Sequence, residues 1–220
     1  PRVLGINETE KGHFSEILSF LFYLINLETT EIRLPYGNIA DYLGSKRISF
    51  GKETFEVRGA APDDVKLGAT LSIKEYADVT GPGMLDGLLR LPHEFIVTQS
   101  FGFVDRQAAL GSMRETRRKL IAGEDGATSI EEEMDHAIDD LASGRSSFGE
   151  HHLSVTVIAK TPGELDRAMS ESHSSFVNLG IVTTREDIAL EPSFWAQLPG
   201  NFSYISRRSL ISNRNFACFA

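Results

Sequence analysis

The sequence is poor in cysteine and contains no long apolar run. Its single cysteine, Cys218, excludes an internal disulfide framework and is typical of a reducing compartment. The longest apolar stretch, residues 17–25, is about half the ~20 residues that a membrane span needs. Any membrane association is therefore expected to be peripheral or through partners. No Met precedes Pro1 and no signal-peptide pattern opens the chain, so we expect a piece excised from a longer protein.

A nucleotide-binding loop is also missing from the sequence. A Walker A loop needs Gly, four residues and then Gly-Lys-Ser/Thr, so that backbone N–H groups cradle phosphate. The nearest stretch, residues 50–53 (FGKE), has Lys46 where the first Gly should be. It also has Glu53 where the hydroxyl should be, and this charge would repel phosphate. Residues 46–58 instead predict a β-hairpin, and we assign no catalytic, cofactor-binding or metal-binding residue in this chain.

Basic residues are too few for a surface that coats nucleic acid. The sequence has 22 Lys and Arg against 31 Asp and Glu, a formal net charge of −9. Phosphate binding needs a concentrated basic face, although this balance leaves room for a local basic patch.

The histidines come closest to a metal site. His151 and His152 follow Glu150, and His93-Glu94 lies elsewhere. Adjacent strand residues point to opposite faces, so the pair is expected to be structural. A stand-alone metal-dependent hydrolase remains a reserve hypothesis only, and a serine hydrolase lacks its Gly-x-Ser-x-Gly turn.

Hydrophobic periodicity predicts a mixed fold. Residues 13–27 predict a helix that is apolar on most faces, either buried or facing lipid or a partner. Ser129 is expected to cap a helix, with Glu132 completing a capping box, after a break at 123–126. Strands are predicted at 67–76, 94–104, 151–160 and 181–183, and helices at 84–91, 105–122, 129–142 and 162–178.

Two strand–helix–strand units separated by an extra helical pair predict an α+β fold. We expect ferredoxin-like βαβ units in an antiparallel sheet with helices on one face, plus a small hairpin subdomain. The predicted divisions are an N-terminal helix and hairpin subdomain at 1–66, an α+β sandwich at 67–190 and a junction at 191–220.

The last thirty residues carry the most specific pattern. FWAQLPGN contains the single tryptophan, Trp195, which we expect to be largely buried, and it is followed by Arg-Arg and by residues 213–216 (NRNF). This order resembles the junction of type IV secretion and conjugal-transfer ATPases of the CagE, TrbE and VirB group. The predicted interdomain junction residues are Phe194, Trp195, Pro199, Gly200, Arg207, Arg208 and Arg214.

The resemblance implies a non-catalytic N-terminal assembly or docking domain of a secretion ATPase. ATP and Mg²⁺ would be bound by a C-terminal P-loop domain of the parent, and this fragment would need no cofactor. The parent would energise pilus biogenesis and the transfer of DNA or protein. It would contact membrane and channel subunits, associate with itself, and lie in the cytoplasm at the inner face of the bacterial inner membrane.

Two charged helices provide a possible docking surface. Arg114, Arg117 and Arg118 occupy i, i+3 and i+4 positions and share one helical face. They could be a solvated face, or they could dock an acidic partner such as the helix around 131–140. That pairing could form within one chain or between chains. We expect the chain alone to be a monomer or weak dimer whose association weakens with salt.

The alternative function is a ferredoxin-like nucleic-acid-binding domain. Phe101 and Phe103 lie on one predicted strand and could stack on bases, but the Arg/Lys-Gly-Phe/Tyr-Gly/Ala-Phe signature and a positive charge are missing. The docking domain is therefore the preferred hypothesis.

Overall fold

The computed structural model describes residues 5–10, 12–122 and 128–219, with the backbone alone for 122 and 128–130. The strands are β1 (Ile6–Thr9), β2 (Gly12–Ser15), β3 (Arg47–Phe50), β4 (Phe55–Arg58), β5 (Val65–Glu75), β6 (Glu94–Phe103), β7 (Phe148–Ala159), β8 (Val182–Arg185) and β9 (Ser209–Ser212). The helices are α1 (Glu16–Asn26), α2 (Ala40–Leu43), α3 (Asp86–Leu89), α4 (Arg106–Ala122), α5 (Thr128–Ala142), α6 (Pro162–Val177), α7 (Leu190–Ala196) and α8 (Asn213–Ala217).

Seven of the described strands form the main sheet, and five of them follow one another in the order β3-β4-β5-β7-β6. β8 pairs with β5 beyond the end of β4, and β9 pairs with β7 beyond the end of β5. Every pairing is antiparallel. The predicted α+β class with an antiparallel sheet is confirmed.

Both faces of the sheet are covered by helices, whereas one covered face was expected. β5 and β7 are central strands that bury both of their alternating side-chain sets. On one face, Leu71 and Val155 pack with Leu165 of α6. On the other face, Ile158 of β7 packs with Phe194 of α7.

The predicted hairpin at 46–58 is present, and it belongs to the main sheet. β4 pairs with β5 over four residues, from Phe55 opposite Gly68 to Arg58 opposite Val65. A Cβ at Gly68 would lie 2.1 Å from the Phe55 ring, so only glycine lets this ring lie across β5. The separate two-stranded sheet is β1–β2. Strands from all three predicted divisions therefore share one sheet. The division of the chain into three units stays a prediction.

Several element ends differ from those expected. The helix predicted at 13–27 begins at Glu16, because residues 13–15 pair in β2 and the Ser15 hydroxyl accepts the Leu18 N–H. Helix α5 begins at Thr128, so the backbone of Ser129 lies within the helix. The Ser129 side chain and the break predicted at 123–126 lie outside the described residues.

Helix α6 matches its predicted ends. Thr161 caps it, Pro162 occupies the first turn, and Gly180 has a φ of +75° just after it, where glycine is preferred. In the part of the chain that the structure describes, no helix is both long and apolar enough to cross a membrane.

Candidate functional site

The predicted junction packs closely onto the sheet through α7. Phe194 is completely buried, and its ring makes edge contacts with Phe50 at 5.5 Å and Phe55 at 4.9 Å. Trp195 is only partly buried and lies edge-on to Phe194. The anchoring aromatic is therefore Phe194. The sequence favoured Trp195 because it is the larger and unique residue, but the helical turn points it toward the rim of this cluster.

The turn after α7 is tied to the domain by side-chain amides. The Gln197 amide donates to the Leu24 carbonyl of α1 at 2.8 Å, and the Asn201 amide donates to the Trp195 carbonyl at 3.0 Å. Gly200 has a φ of +85°, a conformation that favours glycine. Pro199 and Gly200 are both exposed at this corner.

A buried ion pair fastens the next segment. Glu186 is fully buried just after β8, and its backbone N–H donates to the Thr70 carbonyl at 2.9 Å. The Arg207 guanidinium reaches both carboxylate oxygens of Glu186, at 2.6 and 3.3 Å. The hydrogen bond that Arg207 donates to the Glu186 carboxylate raises the pKa of Arg207. Arg207 thus compensates a buried charge, because a lone carboxylate there would be costly.

The other two junction arginines make exposed contacts. Arg208 binds Glu150 at 3.0 Å and donates to the Phe202 carbonyl at 2.7 Å. Arg214, in α8, donates to the Arg145 carbonyl at 3.2 Å. All three arginines of the junction therefore fasten 200–219 to the domain.

Helices α4 and α5 pack together within one chain. Leu110, Met113 and Leu141 are buried between them and the ends of β7 and β9. Arg117 pairs with Asp135 at 2.6 Å, which is the in-chain pairing considered from the sequence. Arg114 and Arg118 are exposed and form no ion pair with the described residues. Of the three candidate docking arginines, these two remain available to a partner.

The two adjacent histidines lie on opposite faces of β7, as expected. The Gln99 amide donates to Nε2 of His151 at 3.1 Å, and the Tyr76 hydroxyl lies 2.7 Å from its Nδ1. His152 is on the face of Glu186, and its Nδ1 has no hydrogen-bond partner among the described residues. Burial lowers the pKa of each to about 4. No group of three metal-binding side chains occurs within the described ranges.

The aromatic pair considered for base stacking is divided between two environments. The Phe101 ring stacks on Phe216 at 4.4 Å and lies against Gly149, so it is already used in packing. Phe103 is 75% exposed. One free ring does not form the row of stacking platforms that single-stranded nucleic acid requires.

The FGKE stretch is the turn of a hairpin. The Gly51 N–H donates to the Thr54 carbonyl at 2.8 Å, which uses the donor that a phosphate would need. Lys52 is exposed, and Glu53 faces Arg185 at 3.8 Å. This turn joins two strands, whereas a phosphate-binding loop leads from a strand into a helix. The residues therefore do not fit a nucleotide.

These features describe an α+β domain whose C-terminal segment packs firmly onto its sheet, and sequence comparison identifies the family. The sequence profile of the CagE, TrbE, VirB family, component of type IV transporter system, matches residues 2–207. The chain belongs to this family.

Relatives with similar sequences carry names from the same system. The type IV secretion system protein virB4 of Bartonella henselae is 44% identical over 207 residues, 94% of this chain. The type IV secretion system protein PtlC of Bordetella pertussis is 35% identical over 98% of this chain. The virB4 protein of Brucella melitensis is 33% identical over 99% of it. The chain spans 26% of the length of each of these relatives.

Sequence reasoning missed the buried partner of Arg207, which is Glu186. It lies in an ordinary Thr-Arg-Glu-Asp stretch, and no periodicity indicates that its side chain is buried. Its position directly after a strand does not distinguish it from the neighbouring Asp187, which is exposed.

Proposed function

We propose that this chain is a non-catalytic assembly and docking domain of a type IV secretion ATPase, and that it forms the N-terminal part of the parent. The observation that carries the proposal is the 44% identity to a virB4 protein over 94% of this chain. ATP and Mg²⁺ would be bound by another part of the parent, which would energise pilus biogenesis and the transfer of DNA or protein.

The clamped junction supports a mechanical role. Phe194 fixes the start of residues 191–208 in the core, and the buried Glu186–Arg207 pair fixes their end. A segment held at two points transmits force or orientation between the sheet and whatever follows it, whereas a loose linker would not. We infer that the junction couples movement of an ATPase domain to this domain.

The docking surface is assigned to α4. Arg114 and Arg118 are one helical turn apart on an exposed face. They suit an acidic segment of a membrane or channel subunit of the system. The domain would lie in the cytoplasm, peripheral to the inner face of the inner membrane.

The experiment separates docking from catalysis. In the longer parent protein, Arg114→Glu with Arg118→Glu should abolish pilus formation and substrate transfer in cells while the purified ATPase rate stays within twofold. Charge reversal at Arg167, an exposed arginine of α6, is the matched control and should leave transfer intact. Unimpaired transfer by the double variant would refute the docking assignment.

The same proposal predicts that the 220-residue chain binds no ATP. Calorimetry with ATP and Mg²⁺ should give no heat of binding above the dilution control. Micromolar affinity together with turnover above the buffer blank would contradict a non-catalytic domain.

A further inference from the structure

Residues 198–208 form a strap that runs from the end of α7 to the start of β9. The backbone hydrogen bonds that the strap makes with the described residues close turns within it or onto the end of α7. Its ion pairs with the rest of the domain come from its last two residues, where Arg207 binds Glu186 and Arg208 binds Glu150. The strap is therefore attached to the sheet by side chains and not by a strand ladder.

The strap contributes little to the core. None of residues 198–208 is buried, and Phe202 and Tyr204 are 60% and 43% exposed. Two cavities, of about 410 and 210 Å³, lie between the strap and β6 and are bordered by Phe202 and Ile205. Lifting the strap would therefore expose little apolar surface and break few close contacts, so neither effect holds it down strongly.

The sheet face beneath the strap is polar. Ser100 of β6 borders both cavities and lies directly opposite His152 of β7. Ser154 follows on the same side of β7, and Ser72 of β5 lies opposite it. His152, Ser154 and Ser72 are buried, and each has a polar side-chain atom without a hydrogen-bond partner among the described residues. Water provides such partners when the face is exposed, so uncovering this face relieves a cost.

We propose that the strap opens as a unit while the sheet stays folded, with the Glu186–Arg207 ion pair as its latch. Phe194 stays buried before the strap, and β9 stays paired with β7 after it. Gly200, with a φ of +85°, lies at the corner where the strap leaves α7 and allows the chain to turn there. When the whole strap lifts, water reaches both ions, so the latch costs less to break than it would if Arg207 alone were detached.

The open strap changes what the domain presents to its surroundings. It uncovers the imidazole of His152 and the carboxylate of Glu186 beside a group of hydroxyls, and it lengthens the connection between α7 and β9 while both stay folded. The junction is thus fixed at two places and movable between them. This inference goes beyond the proposed docking role and does not depend on it, because it concerns the chain by itself.

Thiol labelling measures how often the strap opens. In a Cys218→Ser background, His152→Cys places a thiol beneath the strap, and Leu153→Cys places one in the core on the opposite face, under α6. His152→Cys should react with a thiol reagent at least about a hundredfold faster than Leu153→Cys, because it needs only a local opening. Its rate should depend weakly on urea, whereas the Leu153→Cys rate should depend steeply on it, since global unfolding exposes far more surface.

Two further substitutions separate the latch from general stability. Arg207→Ala should raise the His152→Cys labelling rate at least about tenfold, because the closed state then strands the buried carboxylate. Leu141→Ala weakens the α4–α5 seam away from the strap, so it should speed labelling of Leu153→Cys and leave His152→Cys unchanged. Chymotryptic cleavage after Tyr204, in the chain without cysteine substitutions, should likewise respond to Arg207→Ala and not to Leu141→Ala.

Three results would overturn the inference. Equal labelling rates for His152→Cys and Leu153→Cys would show that both thiols are reached by the same global unfolding. An equal response of the two thiols to Leu141→Ala would show the same. A His152→Cys rate that Arg207→Ala leaves unchanged would show that the ion pair with Glu186 is not the latch.

Discussion

Glu186 shows how a single buried charge can fix a long surface segment. Its carboxylate has no exposure to water, whereas Arg207 keeps 40% of its side chain exposed. Loss of the arginine would strand the carboxylate, while the arginine itself would be solvated easily. The pair is therefore asymmetric. Detaching Arg207 would leave the buried Glu186 carboxylate without a partner, and this cost keeps the segment around Arg207 in place.

Arg207→Ala should accordingly destabilise the domain. We expect a loss of about 2–3 kcal/mol, below the usual cost of breaking a buried pair because the arginine is partly hydrated. Arg208→Ala, next in sequence with an exposed partner, should cost only about 0–1 kcal/mol. Urea unfolding measures both. Equal losses for the two variants would show that Glu186 finds another partner.

The two buried histidines predict sensitivity to acid. Burial lowers the folded-state pKa of His151 and His152 to about 4, against 6.5 for an ordinary histidine. The unfolded chain takes up protons first as the pH falls, so the free energy of unfolding should decrease from about pH 6.5 down to about pH 4. Each histidine accounts for up to about 3 kcal/mol of this loss.

Replacing one histidine isolates its share of the acid effect. His152→Gln removes one of the two titrations, so the decline of unfolding free energy between these pH values should become shallower. A wild-type stability that is flat from pH 6.5 to 4 would contradict burial of neutral histidines.

At the scale of elements, the helix pair α4–α5 is held mainly by its apolar seam. Leu141 is 2% exposed in this seam, whereas the Arg117–Asp135 pair is partly open to water. Exposed pairs contribute little and are screened by salt. The charged residues that are prominent in these two helices therefore contribute less to their packing than the buried apolar residues between the helices.

Shortening an apolar side chain of this seam should lower the free energy of unfolding more than removing the ion pair does. Leu141→Ala should cost about 2–4 kcal/mol, because a buried cavity remains. Arg117→Ala should cost less than about 1 kcal/mol. Denaturant unfolding in low salt and in 1 M salt would measure this, and a larger effect for Arg117→Ala would show that the charges hold the helices together.

At the scale of the whole molecule, stability should be concentrated in the middle of the main sheet. β7 is paired along both edges and buried on both faces, whereas β1 is exposed along its length and, among the residues that the structure describes, pairs with β2 alone. Amide hydrogen exchange follows local opening, which is hardest where such contacts are densest.

Native-state exchange should therefore rank the strands. Amides of β7 should be protected to near the global free energy of unfolding, and those of β1 and β2 should exchange several orders of magnitude faster. Uniform protection across β1 and β7 would show that the small sheet is part of the same cooperative unit.

The sequence by itself determined the class of fold and its main elements. Alternation in 151–160 and the Thr161-Pro162 start of α6 are local signals, and local backbone preferences decide them. Residues 50–53 also lack the pattern of a phosphate-binding loop, which requires particular residues at fixed spacing. The FWAQLPGN run indicated the family, and the match of the family profile to residues 2–207 confirms it.

Tertiary structure alone decided how these pieces meet. β4 pairs with β5, Phe194 is buried where Trp195 was expected to be, and Glu186 forms an ion pair with Arg207. Each of these depends on a neighbour that packing in space provides. Periodicity states which side of an element is apolar but not which element will cover it. Helices on both faces of the sheet follow from the order of strands in space, which depends on contacts that no local pattern contains.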